Sequence, residues 1–102
     1  MVRAKLCDIR FNERDILLEQ LPVVLGRGPD AGIRLQDRWA SQLHCEISEN
    51  NGMPFVRDLG SRHGSLINGR FAAEAPLTAG DRLTVGLTIF IVSYDNSEER
   101  QN

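Results

Sequence analysis

The sequence predicts an all-β fold, an antiparallel sandwich or barrel, and three observations carry that expectation. Short apolar runs, about ten of them, follow one another at close spacing. Gly, Pro and Asn interrupt them too often for any long helix to form. Two Asn-Gly pairs, Asn51-Gly52 and Asn68-Gly69, supply the strongest short-range hairpin signal. With 102 residues the chain has room for one domain. That domain is expected over 1–94, with a disordered polar tail over 95–102 in which no residue is apolar.

Taken in order, Arg3 to Ile9 and Asp15 to Gln20 read as two strands joined by the turn-like Phe11-Asn12-Glu13-Arg14. Pro22 precedes the β-branched run Val23-Val24-Leu25, which Gly26-Arg27-Gly28-Pro29-Asp30 stops. Ile33-Arg34-Leu35 is another short strand, and the mostly polar stretch from Gln36 to Gln42 is a long loop. Leu43 to Glu49 and Met53 to Leu59 flank Asn50-Asn51-Gly52 as a hairpin. Cys45 and Ile47 alternate on the first of these strands and point to the core. Gly60 to Gly64 forms a loop, Ser65-Leu66-Ile67 a strand, and Asn68-Gly69 a turn into Arg70-Phe71. Ala72 to Ala75 is the one segment expected to make a helical turn, ended by Pro76. Arg82 to Val85 and Leu87 to Tyr94, broken by Gly86, close the domain.

The 41% hydrophobic and 25% charged fractions belong to a folded globular chain. No apolar run approaches a membrane span, and the N-terminus MVRAKLCDIR is too charged for a secretory signal, so the expected location is the cytoplasm. Cys7 and Cys45 cannot build a disulfide framework and are expected to be reduced. The net charge of −2 provides no broad positive field, which argues against nucleic acid and anionic membranes as partners. An anionic ligand would need a local site.

Three catalytic or cofactor readings fail on context. Gly26, Gly28 and Ala31 match a loose dinucleotide fingerprint, but Pro29, Gly32 and a short strand follow where a helix is required. Ser41, His44 and Asp58 have the residue types of a hydrolase triad without a nucleophile elbow. Cys7, His44, Cys45 and His63 lack metal-ligand spacing. No enzyme activity, cofactor or metal is expected.

The polar residues concentrate in loops, which a rigid scaffold can aim. Arg27 follows an apolar strand inside a Gly-rich turn, where a guanidinium could hold phosphate through two charge-assisted hydrogen bonds. Residue type alone allows equally that it neutralises Asp30 or Asp58. Four motifs in one order shift the balance toward phosphate: Gly26-Arg27, Ser41-Gln42-Leu43-His44, Asp58-Leu59-Gly60-Ser61-Arg62-His63-Gly64-Ser65, and Asn68-Gly69. Together they resemble the forkhead-associated (FHA) signature, over nearly the whole chain from Leu6 to Tyr94.

The resemblance implies an eleven-stranded β-sandwich whose loops at one end bind phosphothreonine peptides, a mode built on arginine recognition of phosphate. It implies that Arg27 and Ser41 hold the phosphate, with Gln42 and Arg62 beside them. Arg38, Arg62 and His63 are placed where the peptide would be read, about three residues beyond the phosphothreonine. His44 braces the Ser41 loop, while Gly26, Gly64, Asn68 and Gly69 shape loops without touching ligand. One position departs from the family pattern: His63 stands where an asparagine normally clasps the peptide main chain. That substitution is the sequence argument for an alternative, an FHA-like interaction scaffold that binds without phosphate.

Overall fold

The computed structural model describes residues 2–10 and 15–96. Among them are eleven strands and no helix: β1 (Val2–Asp8), β2 (Asp15–Leu17), β3 (Val23–Gly26), β4 (Ile33–Arg34), β5 (Cys45–Asn50), β6 (Met53–Asp58), β7 (Ser65–Ile67), β8 (Arg70–Phe71), β9 (Glu74–Pro76), β10 (Arg82–Val85) and β11 (Thr88–Asn96). They form a six-stranded sheet in the order β2-β1-β11-β10-β7-β8 and a five-stranded sheet in the order β4-β3-β5-β6-β9.

Period-two alternation builds the core between the sheets. Leu6, Leu83, Val85, Phe90 and Val92 come from the first sheet, and Leu25, Cys45, Ile47 and Val56 from the second, all with no exposed surface. Each such aliphatic or aromatic side chain stabilises the fold by roughly 1.5–3 kcal/mol when fully buried. Cys45 and Ile47 therefore sit where the alternation placed them, and burial, aided by Asp58 and only partly offset by a Ser65 hydrogen bond, pushes the Cys45 thiol up to about 12. Cys45 is thus a small apolar core residue.

Both Asn-Gly turns form, with positive φ at Asn51 (54°) and Gly52 (80°), and at Asn68 (53°) and Gly69 (83°). The first joins β5 to β6 in the register Asn50↔Met53, the second β7 to β8 in the register Ile67↔Arg70.

Three local expectations need correction. The segment from Ala72 to Ala75 is extended rather than helical: Arg57, Val56 and Phe55 of β6 pair with Glu74, Ala75 and Pro76. A single helical turn has no cooperative support, whereas the open edge of β6 offers a ladder, and an edge strand tolerates proline. Within the otherwise antiparallel sandwich, β3 and β4 run parallel, with Leu25 opposite Ile33 and Gly26 opposite Arg34. β11 also runs two residues beyond the expected boundary at Tyr94, because β1 extends the ladder to Arg3↔Asp95 and Val2↔Asn96. The expected Phe11–Arg14 turn and the tail from Ser97 onward lie outside the described residues.

The loops after β3, β4 and β6 are fastened to one another at one end of the sandwich. The Arg27 amide donates to the Ser41 carbonyl at 2.9 Å, the Gly28 amide to that of Gln42 at 3.1 Å, and the Leu59 amide to that of His44 at 2.9 Å. Loops tied in this way can aim side chains as firmly as strands do.

Candidate functional site

An open cleft of about 530 Å³ lies at this loop end, lined by Arg27, Arg38, Trp39, Ala40, Ser41, Arg62 and His63. Three arginines line it and no acid does, so it is a local positive site on a chain of net negative charge.

Arg27 leaves β3 directly after Gly26. A Cβ at Gly26 would lie 2.1 Å from the Gln42 carbonyl oxygen, so only glycine lets the two loops meet here. The Arg27 Nε donates to the Ala40 carbonyl at 2.9 Å, which fixes the guanidinium plane. Among the described residues Arg27 has no ion-pair partner, and the alternative pairing with Asp58 is not formed. The terminal guanidinium nitrogens remain available to an anion.

Ser41 is presented by His44, which is fully buried. The Ser41 amide donates to His44 Nδ1 at 3.0 Å, so the neutral tautomer carries its proton on Nε2 and donates it to the Gly64 carbonyl at 2.8 Å. One imidazole thus clamps the β4–β5 loop to the β6–β7 loop. Ser41 Oγ accepts a hydrogen bond from the Arg62 amide at 2.9 Å, which leaves the hydroxyl proton free to donate to a ligand. The same geometry dismantles the hydrolase reading, because both His44 ring nitrogens are engaged with backbone and neither meets the Ser41 hydroxyl.

Two inward-facing carboxylates hold the loops in shape. Asp58 Oδ1 accepts from the Ser61 and Ser65 hydroxyls at 2.6 and 2.7 Å, and Oδ2 accepts from the Gly60 and Ser61 amides, both at 3.0 Å. Burial works to raise its pKa, but those hydrogen bonds outweigh it and hold the carboxyl below its ordinary value. Asp37 accepts from the Trp39 amide at 2.9 Å, the Leu87 amide at 2.8 Å and the Thr88 hydroxyl at 2.6 Å. Its carboxyl is depressed in the same way, against the opposing effect of burial. Asp37 therefore joins the β4–β5 loop to the β10–β11 turn.

Of the residues expected at the site, Arg27, Arg38, Ser41, Arg62 and His63 meet in the cleft. Gln42 does not. Its carbonyl receives the Gly28 amide, its Cβ would stand 3.0 Å from a Cβ on Gly28, and it is not among the residues that line the cleft. Gly64 takes φ +82° beneath the Phe71 ring, where a Cβ would come within 2.7 Å. The Asn68 side chain accepts from the Arg82 amide and donates to Asp81, both at 3.0 Å, so it pins the hairpin outside the cleft.

Sequence reasoning missed Trp39 and Asp37. Trp39 is 53% exposed, lines the cleft and packs on His63 with ring centroids 4.9 Å apart at 56°. The available signal was a single tryptophan inside an otherwise polar loop.

Comparison with known proteins assigns the class. The FHA domain model matches residues 23–86, more than half of the chain, and the chain belongs to the FHA domain family. FHA domain-containing protein FhaA of Mycobacterium tuberculosis is 35% identical over 69 residues, 68% of this chain and 13% of that protein. Glycogen accumulation regulator GarA of Mycolicibacterium smegmatis is 36% identical over 70 residues, 69% of this chain and 44% of that protein. The chain therefore spans less than half the length of either relative. Among solved structures, an FHA domain from work on phosphothreonine-dependent FHA domain interactions superposes with a TM-score of 0.83 at 30% identity, covering 89% of this chain and 95% of that one. Mycobacterium tuberculosis EmbR in complex with a low-affinity phosphopeptide gives 0.82 at 25% identity, over 89% of this chain and 24% of that one. Among the described residues no helix is long and apolar enough to cross a membrane.

Proposed function

We propose that the chain is a non-catalytic phosphothreonine-binding module that docks in the cytoplasm onto proteins marked by a serine/threonine kinase. The observation that carries this reading is the pairing of Arg27 and Ser41 in one cleft: a guanidinium fixed at Nε and free of carboxylates, beside a hydroxyl whose oxygen is already supplied with a donor.

In this reading the phosphate accepts hydrogen bonds from the Arg27 terminal nitrogens and the Ser41 hydroxyl, the charge-assisted pairs that bind phosphate most strongly. Arg38 and Arg62, in the same cleft, add attraction without a fixed contact. Ala40 and Trp39 give the cleft an apolar side against which a threonine methyl can pack. His63, placed against Trp39 and without a hydrogen bond among the described residues, has its ring nitrogens available to the peptide main chain in place of the family asparagine. Membership of the FHA family and likeness to FHA domains studied with phosphopeptides support the same mode.

Calorimetric titration with a phosphothreonine peptide and its unphosphorylated twin tests it: only the first should bind. Arg27→Ala should weaken that binding by roughly 30-fold to several thousand-fold, the ~2–5 kcal/mol that follows truncation of one member of a desolvated charge pair. Equal titration curves for wild type and Arg27→Ala would refute phosphate recognition at this cleft.

A further inference from the structure

A second cleft, about 500 Å³, shares Arg27 and Arg38 with the first and is completed by Arg34, Leu35, Gln36 and Asp37. Arg34 projects from β4, the edge strand of the five-stranded sheet. Its Nε donates to the Arg27 carbonyl at 3.1 Å, which ties its guanidinium to the loop that presents Arg27. Among the described residues none of Arg27, Arg34 and Arg38 forms an ion pair. The one acid lining the cleft, Asp37, is 7% exposed and spends both oxygens on Trp39, Leu87 and Thr88. Its charge is present, but its lone pairs do not compete for the arginines.

Three guanidinium groups around one cavity repel one another, and an anion relieves that repulsion. Because Arg27 and Arg38 belong to both clefts, anions in the two would lie close enough to be carried by neighbouring residues of one extended peptide, at ~3.3 Å of chain per residue. We propose that the second cleft binds a second anionic group of the same ligand, so that the preferred ligand is a phosphothreonine peptide with a carboxylate or a second phosphate beside the phosphothreonine. The proposal rests on the first cleft being the phosphate site. The second group is then held at the effective concentration set by the first.

The test uses the full chain and a phosphothreonine peptide flanked by alanine. Aspartate, and separately a second phosphothreonine, is moved through each neighbouring position in turn. At one position the carboxylate should raise affinity about two- to fivefold, the scale of an exposed charge pair, and the second phosphate by about tenfold or more, both gains fading with salt. Arg34→Ala should abolish those gains and leave the alanine-flanked peptide unchanged. Arg34→Gln, which retains a donor toward the Arg27 carbonyl without the charge, should behave as Arg34→Ala does. A gain from the carboxylate alone identifies an acidic flank, and a gain from the phosphate alone identifies a doubly phosphorylated ligand. Binding of the alanine-flanked peptide with no gain at any position, or a gain that survives both Arg34 variants, overturns this inference while leaving the phosphate cleft standing. Failure of every phosphopeptide to bind overturns the phosphate cleft, and this inference with it.

Discussion

Replacing His44 by alanine separates the support of the site from its contacts. The side chain has no exposed surface and satisfies two backbone groups on different loops, the Ser41 amide and the Gly64 carbonyl. Its loss leaves both without a partner in a place that water reaches poorly. Each stranded buried group costs ~1–3 kcal/mol, so the fold should lose roughly 2–6 kcal/mol. For a domain of this size ~1 kcal/mol shifts the melting temperature by ~4–8 °C, so His44→Ala should melt roughly 10–30 °C lower. Measured well below that transition, phosphopeptide affinity should fall too, because the Ser41 loop has lost its anchor. Ser41→Ala removes a contact rather than a clamp. It should weaken binding by ~1.5–3 kcal/mol, the worth of a hydrogen bond to a charged group, with little change in melting. Thermal melts by circular dichroism and calorimetric titration of both variants provide the comparison. Equal losses of melting temperature in the two variants, or a His44→Ala protein that melts with the wild type, would refute the assignment of His44 as the clamp.

Two further outcomes are expected. Trp39 is the only tryptophan and lines the cleft, so its emission should change on titration with phosphothreonine peptide and stay constant with the unphosphorylated one; an unchanged spectrum at saturation would remove Trp39 from the site. Asp37, Asp58 and Asp81 all have carboxyls held below their ordinary value, with burial opposing and hydrogen bonds prevailing. A depressed folded pKa means that the unfolded chain takes up protons first as pH falls. Their stabilisation is therefore complete above the unfolded value of ~3.9 and is lost below it. Urea unfolding should give a stability nearly flat from neutral pH down to about 5 and falling below about 4, with a shallower acid fall in Asp58→Asn; an equal fall in that variant would exclude Asp58 as a contributor.

What the sequence reveals here follows the locality of the signal. The β5–β6 and β7–β8 hairpins are announced by Asn-Gly pairs, since type I′ turns need two positive-φ residues and few dipeptides accept that. β9 carries no such mark. Ala and Glu are good helix formers, but propensity over so few residues is a weak bias and the edge of β6 overrides it. The parallel pairing of β4 is equally silent, because direction within a sheet is set by how the β3–β4 loop folds back and not by the composition of two residues. At the site, the motif order points to four of the cleft residues, Arg27, Ser41, Arg62 and His63, with Arg38 added from its loop, whereas Trp39 was missed and Gln42 does not line the cleft. An irregular loop has no period from which to read side-chain direction, and of the adjacent Ser41 and Gln42 only Ser41 lines the cleft. Asp37 and Arg34 act through bonds to amides, a hydroxyl and a carbonyl supplied by other elements, so no local pattern marks them.

The division of labour among charges explains how a chain of net −2 can keep a basic cleft open. Had Asp58 paired with Arg27, a phosphate would have to displace it, and the affinity of the cleft would be reduced by the worth of that pair. Instead Asp58 and Asp37 face backbone amides and hydroxyls, and their hydrogen bonds are spent on the shape of the β6–β7 loop and on the link from the β4–β5 loop to the β10–β11 turn. A carboxylate in such a setting is stabilised by donors that no ligand removes. Arg27 and Arg34 are anchored through Nε to the Ala40 and Arg27 carbonyls, which are neutral acceptors, so their orientation is fixed while their charge stays uncompensated. Preorganisation and unspent charge together lower the ordering cost that an anion must overcome on binding. The Ser41 loop and the Asp37 link therefore act as one unit with Arg27, and loosening either of these ties should weaken binding even where the phosphate is not touched.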